Sequence, residues 1–299
     1  MTEKLKLGLT PWQLQHKLDA RSLCEQAELA EQWNYHSFFL PESHFNSAMP
    51  VPDPLLLLAA VAARTSRIKL GTSSWLLPVR HPLLAAEQAA ALDQLCEGRL
   101  ILGLGRGYQA SMLETFGVNL REKRQRFEEI LKVMIAAWEG NHLGDPKHAL
   151  ELVPAPVQQP HPPLWVAAFG PKAIAQVGGL GLPYLASPVE SFEELQVNQG
   201  RHLEAVAAAG HSAPTVIPIM RTVFISADEA RCTQLREQMA EGPGRDWCMV
   251  GSAMEVQEQI ARYRETLGMN HLIAVRPRVR GMSESENRES LQKLAQLVT

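Results

Sequence analysis

An arginine between two glycines is the sharpest chemical signal in this sequence. Gly105-Arg106-Gly107 follows residues 100–104, an apolar run that resembles a buried strand. Glycine lets the backbone approach a ligand closely, and the forked guanidinium of arginine suits a phosphate group. The residues alone leave two interpretations open, a phosphate site and a solvated glycine-rich turn. The spacing is not G-x-G-x-x-G, and no acidic residue stands where a dinucleotide ribose would need one, so a Rossmann site is disfavoured.

Glu42 and His44 form a second candidate site, directly after the short apolar run 36–40. A histidine beside a carboxylate is suited to carry a proton or to donate a hydrogen bond to a bound ring. The alternative is a loop histidine that is hydrogen-bonded to the backbone. Glu42, His44 and His81 are of metal-binding types, but no H-x-x-x-H, H-E-x-x-H or D-x-D spacing supports a metal site.

Short strand-like runs alternate with helical patterns along almost the whole chain. The predicted strands are residues 5–10, 36–40, 68–76, 100–104, 164–168, 184–186, 216–225 and 272–275. Eight β-then-α units predict parallel strands with right-handed crossovers, most simply a single (β/α)8 barrel domain over residues 1–299. An open doubly wound sheet would also alternate, but eight successive units favour closure. Active sites of such barrels lie at the carboxyl ends of the strands, where Glu42 and Arg106 fall.

Local signals place several boundaries between these elements. Ser191 with Glu194, and Ser252 with Glu255, have the spacing of capping boxes that open helices. The proline-rich stretch 140–163 interrupts the rhythm after the fourth helix. A segment of this length without its own pattern is usually functional or a surface insertion, and we interpret it as an insertion that forms a lid.

Composition narrows the class of protein. The chain has 299 residues, 45% of them hydrophobic, which excludes a disordered chain or a disulfide scaffold. A net charge of −3 argues against a dedicated nucleic-acid or membrane-surface protein. Four cysteines without a C-x-x-C pair indicate reduced thiols, and neither a signal peptide nor a run of roughly 18 apolar residues is evident. We therefore expect a cytoplasmic protein with no nucleic-acid or membrane partner.

The chain closely resembles the bacterial luciferase-like flavin monooxygenase family. The most specific stretch is GTSSWLLPVRHPLLAAEQAAALDQLCEGRLILGLGRGYQASMLETFG. Supporting stretches are LKLGLTP, FFLPESHF, LWVAAFGPKAIAQVGGLGLPYLAS and GSAMEVQEQIARYRETLGMNHLIAVRP, so the resemblance covers most of the chain. It implies a (β/α)8 barrel that holds FMN or, in a sister branch of the family, the deazaflavin F420.

The resemblance also implies roles for individual residues. Arg106 matches the family's phosphate-binding arginine, and the Tyr108 amide would assist it. Ser73-Ser74 matches a position where the family often has a cis peptide bond under the flavin ring. The implied cofactor-binding residues are Thr10, Ser73, Ser74, Gly105, Arg106, Gly107, Tyr108, Phe169 and Gly170.

Two departures from the family pattern bear on the activity. The catalytic luciferase subunit has Glu-His-His-Phe after the second strand, with the first histidine as catalytic base. This chain has Ser43 at that position and keeps the second histidine as His44, so light emission from a long-chain aldehyde is not implied. Ala173 stands where luciferase has a hydroxyl group on the phosphate, so one contact should be missing. The non-catalytic luciferase subunit has a similar loss after strand two, but it lacks the arginine that Arg106 matches.

The resemblance implies a flavin-dependent monooxygenase that uses reduced FMN and O2 to oxygenate a small organic substrate. In the family, reduced flavin and O2 give a C4a-hydroperoxide, which needs a water-excluded site and a hydrogen-bond donor. His44 and Glu42 are the candidate catalytic residues, with His44 as that donor. No NAD(P)H motif is evident, so a separate flavin reductase is the implied partner, and a homodimer is implied by analogy alone. Two alternatives are an F420-dependent hydride-transfer oxidoreductase and a non-catalytic flavin-binding partner subunit.

Overall fold

The computed structural model describes residues 4–14, 18–46, 48–141, 150–240 and 247–298. Its strands are β1 Lys6–Leu9, β2 Ser37–Leu40, β3 Lys69–Thr72, β4 Trp75–Leu76, β5 Leu100–Gly105, β6 Leu164–Ala167, β7 Tyr184–Leu185, β8 Pro218–Ile225, β9 Cys248–Gly251 and β10 His271–Val275. Its helices are α1 Ala20–Gln32, α2 Pro54–Ala62, α3 Pro82–Leu95, α4 Ala110–Thr115, α5 Lys123–Trp138, α6 Pro171–Gly179, α7 Phe192–Ala208, α8 Glu229–Ala240, α9 Ala253–Leu267 and α10 Glu284–Val298, with a 3₁₀ turn at Leu77–Val79. Among these described helices, none has the length and apolar character needed to cross a membrane.

Each predicted strand has a counterpart, but the prediction of one continuous strand over 68–76 is wrong. That run is divided into β3 and β4 at Ser73-Ser74. Leu70 lies opposite Leu100 whereas Trp75 lies opposite Leu104, so this side of the pairing contains one more residue than β5 does. An extra residue on one strand interrupts the hydrogen-bond ladder in the way that a bulge does. Strand β9 and the short helix α4 were not predicted.

The chain consists of two compact units. The first contains the described parts of Met1–Gln13, Glu25–Phe39 and Val166–Thr299. Within it, parallel pairings connect β2 to β1, β1 to β10, β10 to β8 and β8 to β9, with Leu9 opposite Ala274. The first unit therefore contains parallel strands connected through helices, which is an α/β fold.

Capping residues fix the start of two helices in the first unit, as predicted. Ser191 accepts a hydrogen bond from the Glu194 amide and Glu194 accepts one from the Ser191 amide, which together open α7. Ser252 and Glu255 do the same for α9. Each box satisfies two amides that would otherwise have no partner in the helix.

The second unit contains Leu14–Cys24 and Leu40–Trp165. Strands β3 and β4 both pair in parallel with β5, all of whose residues are buried. The Ser73 amide donates to the Leu40 carbonyl at 2.8 Å, which ties the end of β2 to the segment after β3. Because the strands are parallel, the residues that follow β2, β3 and β5 lie at one edge.

The lid over residues 140–163 stays a prediction, and the structure shows only how part of that segment is held. Gln158 Nε2 donates to the carbonyl of Leu100, the first residue of β5, and the Gln158 amide donates to Asp93. Residues at the amino end of β5 therefore hold the segment, whereas Arg106 follows the carboxyl end. A connection from a helix to the start of the next parallel strand belongs at this opposite edge. Residues 142–149 lie outside the described residues.

Candidate active site

Three strand ends of the second unit bring candidate side chains together. Glu42 follows β2, Ser73-Ser74 separates β3 from β4, and Arg106 follows β5. Leu76 lies opposite Gly105 in the β4–β5 pairing, and the Leu76 amide donates to Glu42 Oε2 at 2.8 Å. The structure thus connects the two sites that the sequence indicated separately.

The Glu42 carboxylate is at the centre of a buried polar group. Its side chain has 0% exposure and accepts hydrogen bonds from three directions. Arg80 Nη1 lies 2.9 Å from Oε1, His44 Nε2 lies 2.6 Å from the same oxygen, and the Leu76 amide binds Oε2. Arg80 also donates to the Leu76 carbonyl at 2.6 Å and lies over the Trp75 ring. The cation and the hydrogen-bond donors compensate the free-energy cost of burying the Glu42 charge. Glu42 is therefore suited to hold Arg80 and His44 in place.

His44 is held by Glu42 on one side and by aromatic rings on the other. Its ring meets the Phe116 ring edge-on, with the centroids 4.8 Å apart. Because an ionised carboxylate only accepts hydrogen bonds, the bond to Glu42 places a proton on Nε2. Nδ1 makes no hydrogen bond to a described residue, so it remains available to a ligand.

Phe45 presents an apolar surface beside His44. It adopts a left-handed backbone conformation, with φ of 54°, and its side chain is 75% exposed. Its ring stacks on Phe116 with centroids 5.6 Å apart. Ser43, where luciferase has its catalytic histidine, pairs through its amide with the Val51 carbonyl, so its backbone is held in an antiparallel bridge.

Arg106 lies among other cations. It is buried at 7% exposure, with its guanidinium over the Phe127 ring. Burial, and then the positive charge of Arg124, lower the pKa of Arg106 to about 10. The pKa of Lys123 is also lowered, by burial and by the charges of Arg106 and Arg124. The three cations lie close enough for their charges to lower the pKa values of Arg106 and Lys123, and a bound anion would counter that mutual repulsion.

Glycine is required on the carboxyl side of Arg106. Gly107 has φ of +72°, and a Cβ placed there would lie 3.0 Å from a Leu113 methyl group. Lys123 Nζ donates to the Gly107 carbonyl at 3.2 Å and so fixes this turn on α5. The glycine-rich segment is therefore a packed turn with a buried arginine, which excludes the solvated-turn interpretation for Arg106.

The Ser73-Ser74 peptide bond is cis, as the family resemblance implied. A Cβ on Gly105 would overlap the Ser74 hydroxyl, so the two segments meet without space for a larger residue. The Ser73 hydroxyl is buried and makes no hydrogen bond to a described residue. Buried polar atoms usually have a partner, so this hydroxyl fits a polar group of a ligand.

The predicted residues of the first unit lie at strand and helix ends. Thr10 is buried after β1, and its amide donates to the Ala274 carbonyl at 2.9 Å. Gly170 is the N-cap of α6 with φ of +81°, and Phe169 before it is exposed. In the second unit, the Tyr108 side chain is 96% exposed, so only its backbone was expected to serve the site. Contact of these residues with a cofactor stays a prediction.

Sequence reasoning missed Arg80, Lys123 and Phe116 as parts of this site. Arg80 precedes His81 and has no sequence signal of its own. Lys123 begins α5, sixteen residues after Gly107. Within the described ranges, no group of three His, Cys, Asp or Glu side chains is arranged to hold a metal.

Comparisons with known proteins identify the family of this chain. A family model described as luciferase-like monooxygenase matches residues 7–245. The protein y4vJ of Sinorhizobium fredii is 30% identical over 70% of this chain and 62% of that protein. The oxygenase component of a flavin-dependent trigonelline monooxygenase from Acinetobacter baylyi is 31% identical over 50% of this chain and 44% of that protein. This chain thus spans less than two thirds of the length of the curated relatives it matches.

A solved structure shares the fold over nearly the whole chain. The oxygenating constituent of 3,6-diketocamphane monooxygenase from Pseudomonas putida, in complex with FMN, matches with a TM-score of 0.81. The match covers 99% of this chain and 98% of that chain at 19% identity. At this identity, the likeness shows the fold alone.

Proposed function

This chain belongs to the luciferase-like monooxygenase family, and we propose that it is a flavin-dependent monooxygenase that uses reduced FMN and O2 to oxygenate a small organic substrate. Two named similarities support FMN, namely the flavin-dependent trigonelline monooxygenase and the FMN complex of the diketocamphane enzyme. From the same membership we infer the (β/α)8 fold with an insertion after the fourth helix. Cytoplasmic location and a homodimer stay predictions from the sequence.

The cluster of buried Arg106, half-buried Lys123 and exposed Arg124 is the observation that carries this proposal. Arg106 supplies a forked donor for phosphate oxygens, and the two neighbouring cations add charge that inorganic or esterified phosphate neutralises. The Ser73 hydroxyl, buried without a described partner, suits a polar atom of a flavin ring. These donors fit a cofactor that has a phosphate at one end and a polar ring at the other.

Each group of the second unit has a distinct task in this proposal. FMN in its reduced form supplies the electrons that activate O2. Arg106 binds the phosphate, and Glu42 holds His44 while Arg80 neutralises Glu42. His44 offers Nδ1 to the reacting group, as a hydrogen-bond acceptor in the neutral ring and as the predicted donor only when Nδ1 is also protonated. The stacked rings of Phe45 and Phe116 exclude water beside it.

The remaining predicted contacts and the reductase partner belong to the same proposal. We assign Thr10, Phe169 and Gly170 of the first unit, and the Tyr108 amide of the second, to FMN binding by resemblance to the family. The trigonelline relative is named as an oxygenase component, which supports a separate flavin reductase for this chain.

The first test is an anaerobic titration of the full chain with reduced FMN, and separately with reduced F420. Arg106→Ala removes a charge-assisted phosphate contact, so the affinity for FMN should fall about 10- to 150-fold, which corresponds to about 1.5–3 kcal/mol. Arg121→Ala, at an exposed position just before α5, is the matched control and should bind like the wild type. Equal affinity of the Arg106→Ala variant would contradict the phosphate assignment. Binding of F420 without FMN would instead support the hydride-transfer alternative.

A second measurement separates an oxygenase from a silent flavin-binding subunit. O2 consumption is recorded with NADH, FMN and a flavin reductase, with and without this chain. An active enzyme raises consumption above the rate of the reductase alone, whereas a silent subunit leaves that rate unchanged. His44→Ala should preserve FMN binding, since His44 is placed at the reacting group and Arg106 at the phosphate.

A further inference from the structure

Arg276 occupies a strand end that the proposed function leaves unassigned. It directly follows β10, in the first unit. The neighbouring strand β1 ends at the same level, because the Thr10 amide donates to the Ala274 carbonyl at 2.9 Å. The carboxyl ends of parallel strands are where α/β proteins place ligands. Arg276 thus lies at the edge of the first unit where a ligand is expected.

The segment after Arg276 is anchored by its apolar residues. Pro277 is buried. Val279 and Met282 pack against a buried cluster in the first unit that includes Phe224 and Cys232. The backbone that carries Arg276 and Arg278 is therefore fixed by packing, and both arginines are presented from a rigid support.

The charge of Arg276 is uncompensated within the described chain. Arg276 is half-buried, and among the described residues it makes no hydrogen bond or ion pair. Burial, and then the positive charge of Arg278, lower its pKa. A partly desolvated cation beside another cation destabilises the fold, so its presence calls for a ligand that reverses this cost.

We propose that Arg276, with Arg278 beside it, binds the anionic group of a small organic substrate. A carboxylate, sulfonate or phosphate accepts two hydrogen bonds from one guanidinium, and its charge offsets that of Arg276. This assignment rests on the proposed function, in which Arg106 already takes the phosphate of FMN, so the anion at Arg276 belongs to the substrate. It identifies the substrate class as organic anions and makes Arg276 a specificity-determining residue.

The test compares hexanesulfonate and hexanoate with hexanol, which has the same chain and no charge. Binding to the full-length protein is measured by titration calorimetry, with and without saturating FMN. We expect Arg276→Gln to weaken binding of the two anions at least about tenfold, as for a lost charge-assisted hydrogen bond. Arg276→Lys should fall between this variant and the wild type. Arg288→Gln, at an exposed position in α10, is the matched control and should bind the anions like the wild type.

The outcomes separate this proposal from its alternatives and from the proposed function. Arg276→Gln should retain the wild-type melting temperature or exceed it, because it removes a poorly solvated cation, so weakened binding would not reflect misfolding. The proposal is overturned if the wild type binds neither anion, if Arg276→Gln binds both normally, or if that variant loses affinity for FMN only. Failure of the protein to bind FMN contradicts the proposed function, while the titration without FMN still decides the anion site.

Discussion

Two buried arginines, one in each unit, differ in the charges that surround them. Arg221 in β8 is fully buried, and Arg106 after β5 is nearly so. Both side chains are removed from water, which costs free energy unless polar partners compensate. The groups that surround each arginine therefore indicate whether it stabilises the fold or binds a ligand.

Arg221 belongs to a network of opposite charge and hydrogen bonds within the first unit. Its Nε donates to the Tyr263 hydroxyl at 3.0 Å, and its Nη1 donates to the Ser187 and Met220 carbonyls at 2.8 and 2.7 Å. Nearby Glu190 accepts hydrogen bonds from Asn198 at 2.6 Å, from the Ser187 amide at 2.6 Å and from the Tyr184 hydroxyl. Protein groups thus hold Nε and Nη1 of Arg221, and its charge acts on the nearby Glu190 carboxyl, whereas Nη2 makes no hydrogen bond to a described residue, so we interpret Arg221 as mainly structural.

Arg106 has positive neighbours where Arg221 has a carboxylate. The charged groups that shift the pKa values of Arg106 and Lys123 are cations. Arg276 in the first unit is of the same kind, with Arg278 as its charged neighbour. Perturbed cations of this kind tend to lie at functional sites, because a ligand completes them.

The largest effect should follow from Arg221→Met. The variant leaves the Tyr263 hydroxyl and the Ser187 and Met220 carbonyls without their donor, and it removes a positive charge near Glu190. Each buried polar group left unsatisfied costs about 1–3 kcal/mol of the free energy of unfolding. Urea denaturation measures the loss, with Arg288→Met on the exposed face of α10 as a control that should stay within about 0.5 kcal/mol of the wild type. The double variant Arg221→Met/Glu190→Gln should recover part of the loss. A loss below about 1 kcal/mol in Arg221→Met would mean that the hydrogen bonds of Arg221 do not stabilise the fold.

Arg106→Met should behave in the opposite way. Without FMN, the variant should be at least as stable as the wild type, because a desolvated cation leaves a cluster of cations. With FMN at one hundred times the wild-type Kd, the wild type gains about 2.7 kcal/mol of stability. An affinity lower by about 10- to 150-fold reduces that gain to about 0.3–1.4 kcal/mol. Thermal unfolding with and without FMN measures both quantities, and Arg121→Met serves as control. A loss of stability without FMN would place Arg106 in the same class as Arg221.

Much of the fold was predictable from local patterns. The apolar run at 100–104 became β5, and the capping boxes at Ser191 and Ser252 open helices, because these signals act within a few residues. Arg106 was found for the same reason, since the glycines beside it mark a close approach of the backbone. The division of the third strand was not predicted, because residues 68–76 contain no proline and no Asn-Gly or Asp-Gly pair that would mark a break at Ser73-Ser74.

Long-range contacts explain what the sequence did not reveal. Arg80 reaches Glu42 across 38 residues, and Lys123 reaches the Gly107 carbonyl across 16, so neither partnership has a local signature. The lid over residues 140–163 stays a prediction, because the length and proline content of a segment do not say which edge of the sheet it approaches. The hydrogen bond from Gln158 to the Leu100 carbonyl, at the start of β5, is visible only in the structure.

The smallest of the three effects concerns pH and the carboxyl group of Glu190. Burial raises the pKa of Glu190 in the folded chain, although its hydrogen bonds from Tyr184, Ser187 and Asn198 and the charge of Arg221 oppose that shift. A raised folded pKa means that the protonated form is favoured by folding. Its contribution to stability is therefore complete below the unfolded pKa of about 4.3 and is lost as the pH rises through the folded pKa.

Urea unfolding between pH 4 and 7 should show the wild type losing stability relative to Glu190→Gln as the pH increases. A pH-independent difference in the free energy of unfolding between the two proteins reflects their altered hydrogen bonds. The change of that difference with pH therefore tests whether the pKa of Glu190 is raised. Glu193→Gln, at an exposed position in the first turn of α7, should follow the wild type in parallel. If the wild type instead gained stability relative to Glu190→Gln as the pH increased, the charge of Arg221 would outweigh burial and hold Glu190 ionised. The surroundings of Arg221 would then include an anion, unlike the cations around Arg106.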